Sequence, residues 1–172
     1  ENIRSVLYQN NDYRKKFLNK VGHSIYGAKS DKKKEDWIRV SMLGAGRQVG
    51  RSCILLQTNE SNVLLDCGIN PGIDAGPGSY PLLDAPEFKL SDLDAVILSH
   101  AHMDHCGFIP FLYKMGFRGP VYATKPTRDI SALSSLDAIG VSFKQAKKNL
   151  FEIQDVKEMV KHTITLDWEE VT

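Results

Sequence analysis

The chain contains little cysteine and lacks any long apolar run. Its three cysteines among 172 residues, Cys53, Cys67 and Cys106, are too few and too scattered for a disulfide framework, which indicates a reducing, cytoplasmic location. No apolar run approaches the roughly 18 residues of a membrane span, so we expect no membrane partner. The N-terminus has neither an initiator Met nor the apolar core of a signal peptide, and we therefore expect the chain to begin inside a longer gene product.

The net charge of +1 is small, but the charges are unevenly distributed. Residues 1–39 contain ten Lys and Arg against five Asp and Glu, whereas residues 40–172 contain twelve against sixteen. A basic arm on a mildly acidic body indicates a polyanionic partner at one end, although a solvated basic helix would have the same composition. The 42% hydrophobic and 25% charged content excludes a disordered tail and is ordinary for a globular domain.

The sequence predicts two regions, a basic helix and linker over residues 1–36 and a compact body over residues 37–172. Apolar residues recur at three- and four-residue steps over residues 2–26, which is typical of an amphipathic helix. The charge-dense, glycine-bearing segment that follows reads as the linker. The other side of the predicted helix carries a basic cluster made of Arg14, Lys15, Lys16 and Lys20.

The body combines short strands with helices. Its β-type patterns predict strands at residues 38–43, 53–58, 63–66, 95–99 and 120–123. Helical patterns lie at residues 107–114, 127–138 and 143–161, with Gly116 ending the first of them and Gly140 the second. This order predicts mixed α/β layers, that is, an α+β fold.

The most informative segment is a histidine-rich motif directly after the apolar strand at residues 95–99. Three histidines and one aspartate fall within six residues, His100, His102, Asp104 and His105. Imidazole and carboxylate are the ligands of zinc and similar ions. Two rings at the end of an extended strand would face one side, and the adjacent Asp104 and His105 are expected to diverge, so the set fits two neighbouring ions better than one. The alternative is a polar turn whose histidines cap the next helix.

The pattern HxHxDH after a hydrophobic strand resembles the metallo-β-lactamase superfamily. The flanking segments VLLDCG, YPLLDAPEF, HAHMDHCGFIPFLYKMGFRGPVYAT and TLDWEEVT are similar to archaeal relatives of the CPSF endonuclease, in the β-CASP group. The resemblance runs from about Trp37 to Thr172 and implies the N-terminal half of an αββα sandwich. Residues 2–26 resemble the helical connection from a KH-type RNA-binding module.

The resemblance also implies roles for individual residues. His100 and His102 would bind one Zn²⁺, and Asp104 and His105 would bind the second. Asp66 would orient a ligand histidine, and Asp66 and Asp104 are the candidate catalytic residues; taken alone, Asp66 also reads as an ordinary aspartate at a strand end. The remaining ligands would lie beyond Thr172, so the chain holds half of an active site.

Two further side chains are expected to lie outside the metal site. Cys106 directly follows the motif, but a single thiol without partners reads as a small buried residue. His162 has no matching context and reads as part of a helix surface.

The resulting prediction is a segment of a zinc-dependent RNA endonuclease, optionally with 5′→3′ exonuclease activity, that acts in RNA 3′-end processing or transcription termination. RNA is the expected partner, reached through the basic cluster, and a homodimer would form through regions outside this chain. The isolated chain is expected to be inactive. Two alternatives stay open, a hydrolase of the thioesterase or lactonase type and a non-catalytic RNA-binding or scaffold fragment.

Overall fold

The computed structural model describes residues 36–73, 76 and 78–168. The predicted helix over residues 2–26 and its basic cluster lie outside the described residues, and so do residues 169–172. The predicted boundary near residue 36 therefore stays a prediction. Among the described residues, no helix is both long and apolar enough to span a bilayer.

One sheet of six strands organises the described residues, and its strands follow one another in chain order. The first three strands pair antiparallel, and β3 to β6 pair parallel. The Thr58 backbone N–H donates to the Ser61 carbonyl over 2.8 Å and closes the hairpin that the sequence predicts between the second and third strands. The strands are β1 (Ile38–Gly44), β2 (Cys53–Thr58), β3 (Asn62–Leu65), β4 (Ala95–Ile97), β5 (Val121–Thr124) and β6 (Thr163–Leu166).

The described residues form four α-helices and one short 3-10 helix (Leu90–Asp92), and the longest α-helix corrects the prediction. The helices are α1 (Met103–Cys106), α2 (Ile109–Lys114), α3 (Lys125–Lys144) and α4 (Ile153–His162). The sequence predicts a helix at 127–138 that Gly140 ends, but α3 continues through Gly140 to Lys144. A glycine inside a helix costs only about 1 kcal/mol, which a helix of 20 residues tolerates.

The predicted helix over residues 143–161 is also wrong in its first half. The chain leaves α3 at Gln145, passes through Ala146 with φ of 51°, and starts α4 only at Ile153. A capping box between Glu152 and Asp155 fixes that start, because each side chain accepts from the other residue's backbone N–H. The strand β6, which follows α4 without a break, is not predicted by the sequence patterns.

The core lies on one face of the sheet. Leu55, Leu64, Val96 and Val121 are neighbours across four consecutive strands, and each is at most 1% exposed. Buried residues of the helices complete the same core, among them Ile109, Leu112, Val156 and Met159. This face carries the helical layer, which establishes the predicted mixed α/β layering.

The opposite face carries a second apolar row that the described residues leave open. The row crosses all six strands, because each of its members is the register partner of the next. Met42, Ile97 and Ile164 in this row are 52%, 45% and 42% exposed. A helical layer on one face and an open apolar row on the other correspond to half of an αββα sandwich. The open row consists of Met42, Ile54, Leu65, Ile97, Tyr122 and Ile164.

Candidate metal centre

The histidine-rich motif occupies the loop after β4 and the first turns of the helical layer. The predicted strand over 95–99 ends earlier, at Ile97, although the Leu98 backbone N–H still donates to the Tyr122 carbonyl over 2.9 Å. His100 and His102 therefore lie in the loop, not in a strand. The predicted helix over 107–114 corresponds to α2, which begins at Ile109. A separate short helix that the sequence patterns do not predict, α1, begins at Met103 and carries Asp104 and His105.

The structure brings all four predicted metal ligands together. The ring of His100 lies 4.8 Å from that of His102 and 4.0 Å from that of His105, measured between centroids. The Oδ2 atom of Asp104 lies 3.5 Å from Nε2 of His105. The expectation that these two adjacent side chains diverge is wrong, because both bend toward the same space from the short helix α1.

Asp66 is held beside His105 by its backbone and by three hydrogen bonds. Its backbone has φ of 60°, a left-handed conformation that aspartate adopts more readily than most residues. Its Oδ2 atom lies 2.7 Å from Nδ1 of His105. The Ser99 backbone N–H donates to Oδ1 and the Ser99 hydroxyl to Oδ2, both over 2.8 Å. The Asp66–His105 contact is of the kind that the resemblance implies, and the catalytic role stays a prediction.

Ser99 is the residue that sequence reasoning missed. Besides its two bonds to Asp66, its hydroxyl lies 3.0 Å from Nδ1 of His100. The only available signal was its position directly before His100, at the end of an apolar segment.

Backbone packing fixes the motif against the loop that follows β3. The Cys67 N–H donates to the His105 carbonyl over 2.8 Å, and the Ser52 N–H donates to the Asp104 carbonyl over 2.7 Å. Gly68 lies so close to this turn that a Cβ atom would collide with the carbonyl of Asp104 and the backbone nitrogen of His105. A glycine is therefore required at position 68 by close approach of two backbones.

A second loop, between β1 and β2, is tied to the same region. Arg51 lies at φ of 46°, its N–H donates to the Ile69 carbonyl over 2.9 Å, and its guanidinium donates to the Tyr80 carbonyl over 2.9 Å. The ring of Tyr80 packs on Phe108, with centroids 5.4 Å apart. These contacts join three loops around the motif into one frame.

The other candidate residues lie apart from the cluster. Cys106 is fully buried, its thiol donates to the Ala101 carbonyl over 3.3 Å, and burial raises the pKa of the thiol to about 12. Burial also raises the pKa of Cys67, whose sulfur lies 4.0 Å from that of Cys53. All three cysteines are free thiols. His162 ends α4, where its Nδ1 lies 2.8 Å from the Glu158 carbonyl and its ring packs on Tyr113.

The four side chains are of the types that bind zinc, and one distance between two of them fits a shared zinc ion. Two ligands on a tetrahedral zinc, each about 2.0–2.2 Å from it, lie about 3.4 Å from each other. The separation of 3.5 Å between Asp104 Oδ2 and His105 Nε2 matches this edge. Within the described ranges, however, no three such side chains converge on a single point. That the chain holds half of a metal site stays a prediction of the resemblance.

Comparisons with known proteins agree with the motif. The model of the metallo-β-lactamase superfamily matches residues 46–116, which include the strands β2 to β4 and the whole histidine-rich motif. Residues 46–116 of this chain are a segment of a metallo-β-lactamase superfamily domain. The resemblance noted in the sequence is confirmed at this level.

Within the superfamily, the similar proteins include archaeal transcription termination factors. The chain is 49% identical over 172 residues to the transcription termination factor FttA of Methanothermobacter thermautotrophicus, covering 100% of this chain and 27% of that protein. It is 45% identical over 166 residues to FttA of Methanocaldococcus jannaschii, covering 96% of this chain and 26% of that protein. The chain thus spans about a quarter of the length of these curated relatives.

Solved metallo-β-lactamases overlap with the chain over a smaller part. A metallo-β-lactamase from Cronobacter sakazakii with a HARLDQ motif is 26% identical and has a TM-score of 0.43. The overlap covers 56% of this chain and 36% of the enzyme.

Proposed function

We propose that this chain is part of a zinc-dependent RNA endonuclease of the β-CASP group that acts in transcription termination or RNA 3′-end formation. The observation that carries the proposal is the cluster of His100, His102, Asp104 and His105, with Asp66 hydrogen-bonded to His105. Support for the process comes from the 49% identity, over the whole chain, to a protein named as a termination factor. Optional 5′→3′ exonuclease activity and a homodimer remain predictions of the resemblance.

His100 and His102 would hold one Zn²⁺, and Asp104 and His105 the other. Such ions supply an activated water and offset the charge on phosphate oxygens during hydrolysis. The chain's own residues prepare the site: Asp66 fixes the ring of His105, and the frame built by Gly68 and Ser52 holds the backbone of Asp104 and His105 in place. The ligands that complete the site would come from outside this chain.

The basic cluster at Arg14, Lys15, Lys16 and Lys20 is proposed to guide RNA toward this site. Four cations within seven residues of the sequence attract a phosphate backbone through its charge and without regard to base sequence. This role separates binding from cleavage, because the two sets of residues lie in different regions of the chain.

The decisive experiment replaces a proposed ligand in the intact protein. His100→Ala is expected to abolish cleavage of a single-stranded RNA and to leave the affinity for that RNA within about twofold, because phosphate contacts supply most of the affinity. His162→Ala is the matched control, a histidine at the end of α4 that lies outside the cluster. Cleavage by His100→Ala at the rate of the unsubstituted protein would refute the assignment.

A hydrolase of the thioesterase or lactonase type is the second candidate, because the ligand motif belongs to the superfamily as a whole. Comparing turnover of the intact protein on RNA, on an acyl thioester and on a lactone distinguishes the two. A scaffold without catalytic activity would turn over none of them while still binding RNA.

A further inference from the structure

We propose that Ser99 is a positioning residue that lets one carboxylate, Asp66, set the orientation and tautomer of two histidines at once. Asp66 reaches His105 directly and reaches His100 through the hydroxyl of Ser99. The inference rests on the proposed metal site, but it does not depend on RNA being the substrate.

The first step concerns the single proton of the hydroxyl. A carboxylate can only accept hydrogen bonds, so the Ser99 hydroxyl, 2.8 Å from Asp66 Oδ2, must donate its proton to that oxygen. The hydroxyl then has only lone pairs left for Nδ1 of His100, 3.0 Å away. That nitrogen must therefore carry the hydrogen of the neutral ring, and Nε2 keeps its lone pair.

The second step is the direct contact of Asp66 with His105. The 2.7 Å distance between Asp66 Oδ2 and His105 Nδ1 requires a hydrogen on Nδ1 for the same reason. In the neutral ring, Nε2 of His105 then presents its lone pair toward Asp104 Oδ2, 3.5 Å away. Nε2 of His105 and Oδ2 of Asp104 are then two hydrogen-bond acceptors facing each other, and a cation between them would stabilise this arrangement.

The two steps together assign one network to two proposed ion positions. His100 belongs to the pair proposed for the first ion and His105 to the pair proposed for the second, yet both are oriented from one oxygen of Asp66. Asp66 makes both contacts from a left-handed backbone, at φ of 60°. Partners of this kind behind a metal ligand are typically worth about 10–100-fold in metal affinity.

The test uses three variants of Ser99 in the intact protein. Ser99→Thr keeps the hydroxyl, Ser99→Val has the shape of threonine without it, and Ser99→Ala removes it with the least bulk. Ser99 is an exposed side chain, so the added methyl groups have room. Ser91→Ala, in the exposed 3-10 helix Leu90–Asp92, is the control for replacing a serine elsewhere.

The first measurement reads the tautomer in metal-free protein from the ¹⁵N shifts of the histidine rings. Unsubstituted protein and Ser99→Thr are expected to show hydrogen on Nδ1 of both His100 and His105. Ser99→Val and Ser99→Ala are expected to move His100 toward hydrogen on Nε2 and to leave His105 unchanged. His100 with the same tautomer in all four proteins would overturn the inference.

The second measurement is Zn²⁺ affinity by competition with a chromophoric chelator. We expect a loss of about 10–100-fold in Ser99→Val and Ser99→Ala, and a loss below about threefold in Ser99→Thr and Ser91→Ala. Equal loss in the threonine and valine variants would show that the hydroxyl is irrelevant and would also overturn the inference. Failure to cleave RNA would count against the proposed function alone, because neither measurement involves RNA.

Discussion

The carboxylate of Asp66 and the Nδ1 atom of His105 lie 2.7 Å apart, although 39 positions separate the two residues in the sequence. This contact joins the end of β3 to the short helix α1 and places a carboxylate behind a proposed metal ligand. Asp66 is 8% exposed, so water competes weakly for the bond. The first prediction concerns this pair.

Asp66→Asn is expected to lower Zn²⁺ affinity by about 10–100-fold. The amide lacks the negative charge, and its NH₂ group cannot accept the hydrogen bonds that the Ser99 hydroxyl and His105 Nδ1 donate to Oδ2. Asparagine also adopts left-handed backbone angles, so the substitution tests charge and not backbone strain. Chelator competition measures the effect. Asp92→Asn, at the exposed end of the 3-10 helix Leu90–Asp92, is the control, and equal affinities of the two variants would contradict the prediction.

Gly68→Ala is expected to destabilise the fold by about 2–4 kcal/mol, because its Cβ atom collides with backbone atoms of Asp104 and His105 that cannot yield separately. Urea denaturation of the intact protein measures the change in free energy of unfolding. Gly140→Ala is the matched control, since nothing lies within 4 Å of its Cβ position inside α3, and it should stabilise by about 0.5–1 kcal/mol. An unchanged free energy of unfolding in Gly68→Ala would show that this turn can shift to make room for the methyl group.

The buried thiol of Cys106 predicts a particular dependence of stability on pH. Burial raises the pKa of this thiol to about 12 in the folded protein. Its contribution to the free energy of unfolding is therefore fully present below the pKa of an unfolded thiol, about 8.5. The contribution is lost as the pH rises from there toward the folded value, at about 1.4 kcal/mol per pH unit.

Cys106→Ala isolates this effect. The difference in free energy of unfolding between the unsubstituted protein and the variant should shrink by about 1.4 kcal/mol per unit between about pH 9 and pH 10.5, since other titrating groups are common to both. Urea denaturation at several pH values gives the slope. The same variant should keep its metal content, because the thiol faces the Ala101 carbonyl and not the histidine cluster; a loss of zinc would make Cys106 a ligand.

Replacing Arg14, Lys15, Lys16 and Lys20 together with alanine is expected to weaken RNA binding and to flatten its dependence on salt. Each lost contact with a single strand lowers the slope of log affinity against log salt by about 0.7, so the full change approaches about 3. Filter binding at four salt concentrations measures it. His100→Ala should keep the original slope, and an unchanged slope in the basic-cluster variant would place the RNA contacts elsewhere.

The sequence predicts the hairpin, the apolar strands and the motif well, because each depends on neighbours in the chain. The segment 53–58 was predicted with the bounds that β2 has, since the turn residues Asn59 to Asn62 mark its end. Gly140 misled the prediction because a helix-breaking tendency of about 1 kcal/mol is a weak signal beside the packing of a long helix. The capping box of Glu152 and Asp155 is a local pattern in the sequence that marks the true start of α4.

The details of the site were less predictable, because they depend on residues far apart in the chain. The hydrogen bond of Ser99 to Asp66 forms only in the folded chain, because Asp66 follows β3 and lies 33 positions earlier in the sequence. The closeness of Gly68 to Asp104 likewise exists only in the folded chain. Strand β6 has a suitable composition, yet its four residues become a strand through pairing with β5.

The apolar row from Met42 to Ile164 makes the solubility of this chain depend on whatever lies over it. Because the row crosses every strand, a single loop or side chain would leave most of it in water, and only a covering layer as wide as the sheet would bury it. Apolar patches of this kind drive self-association. Residues 36–168 produced alone are therefore expected to associate as their concentration rises. A layer that covers the row would prevent this association and so keep the half that carries the histidines monomeric.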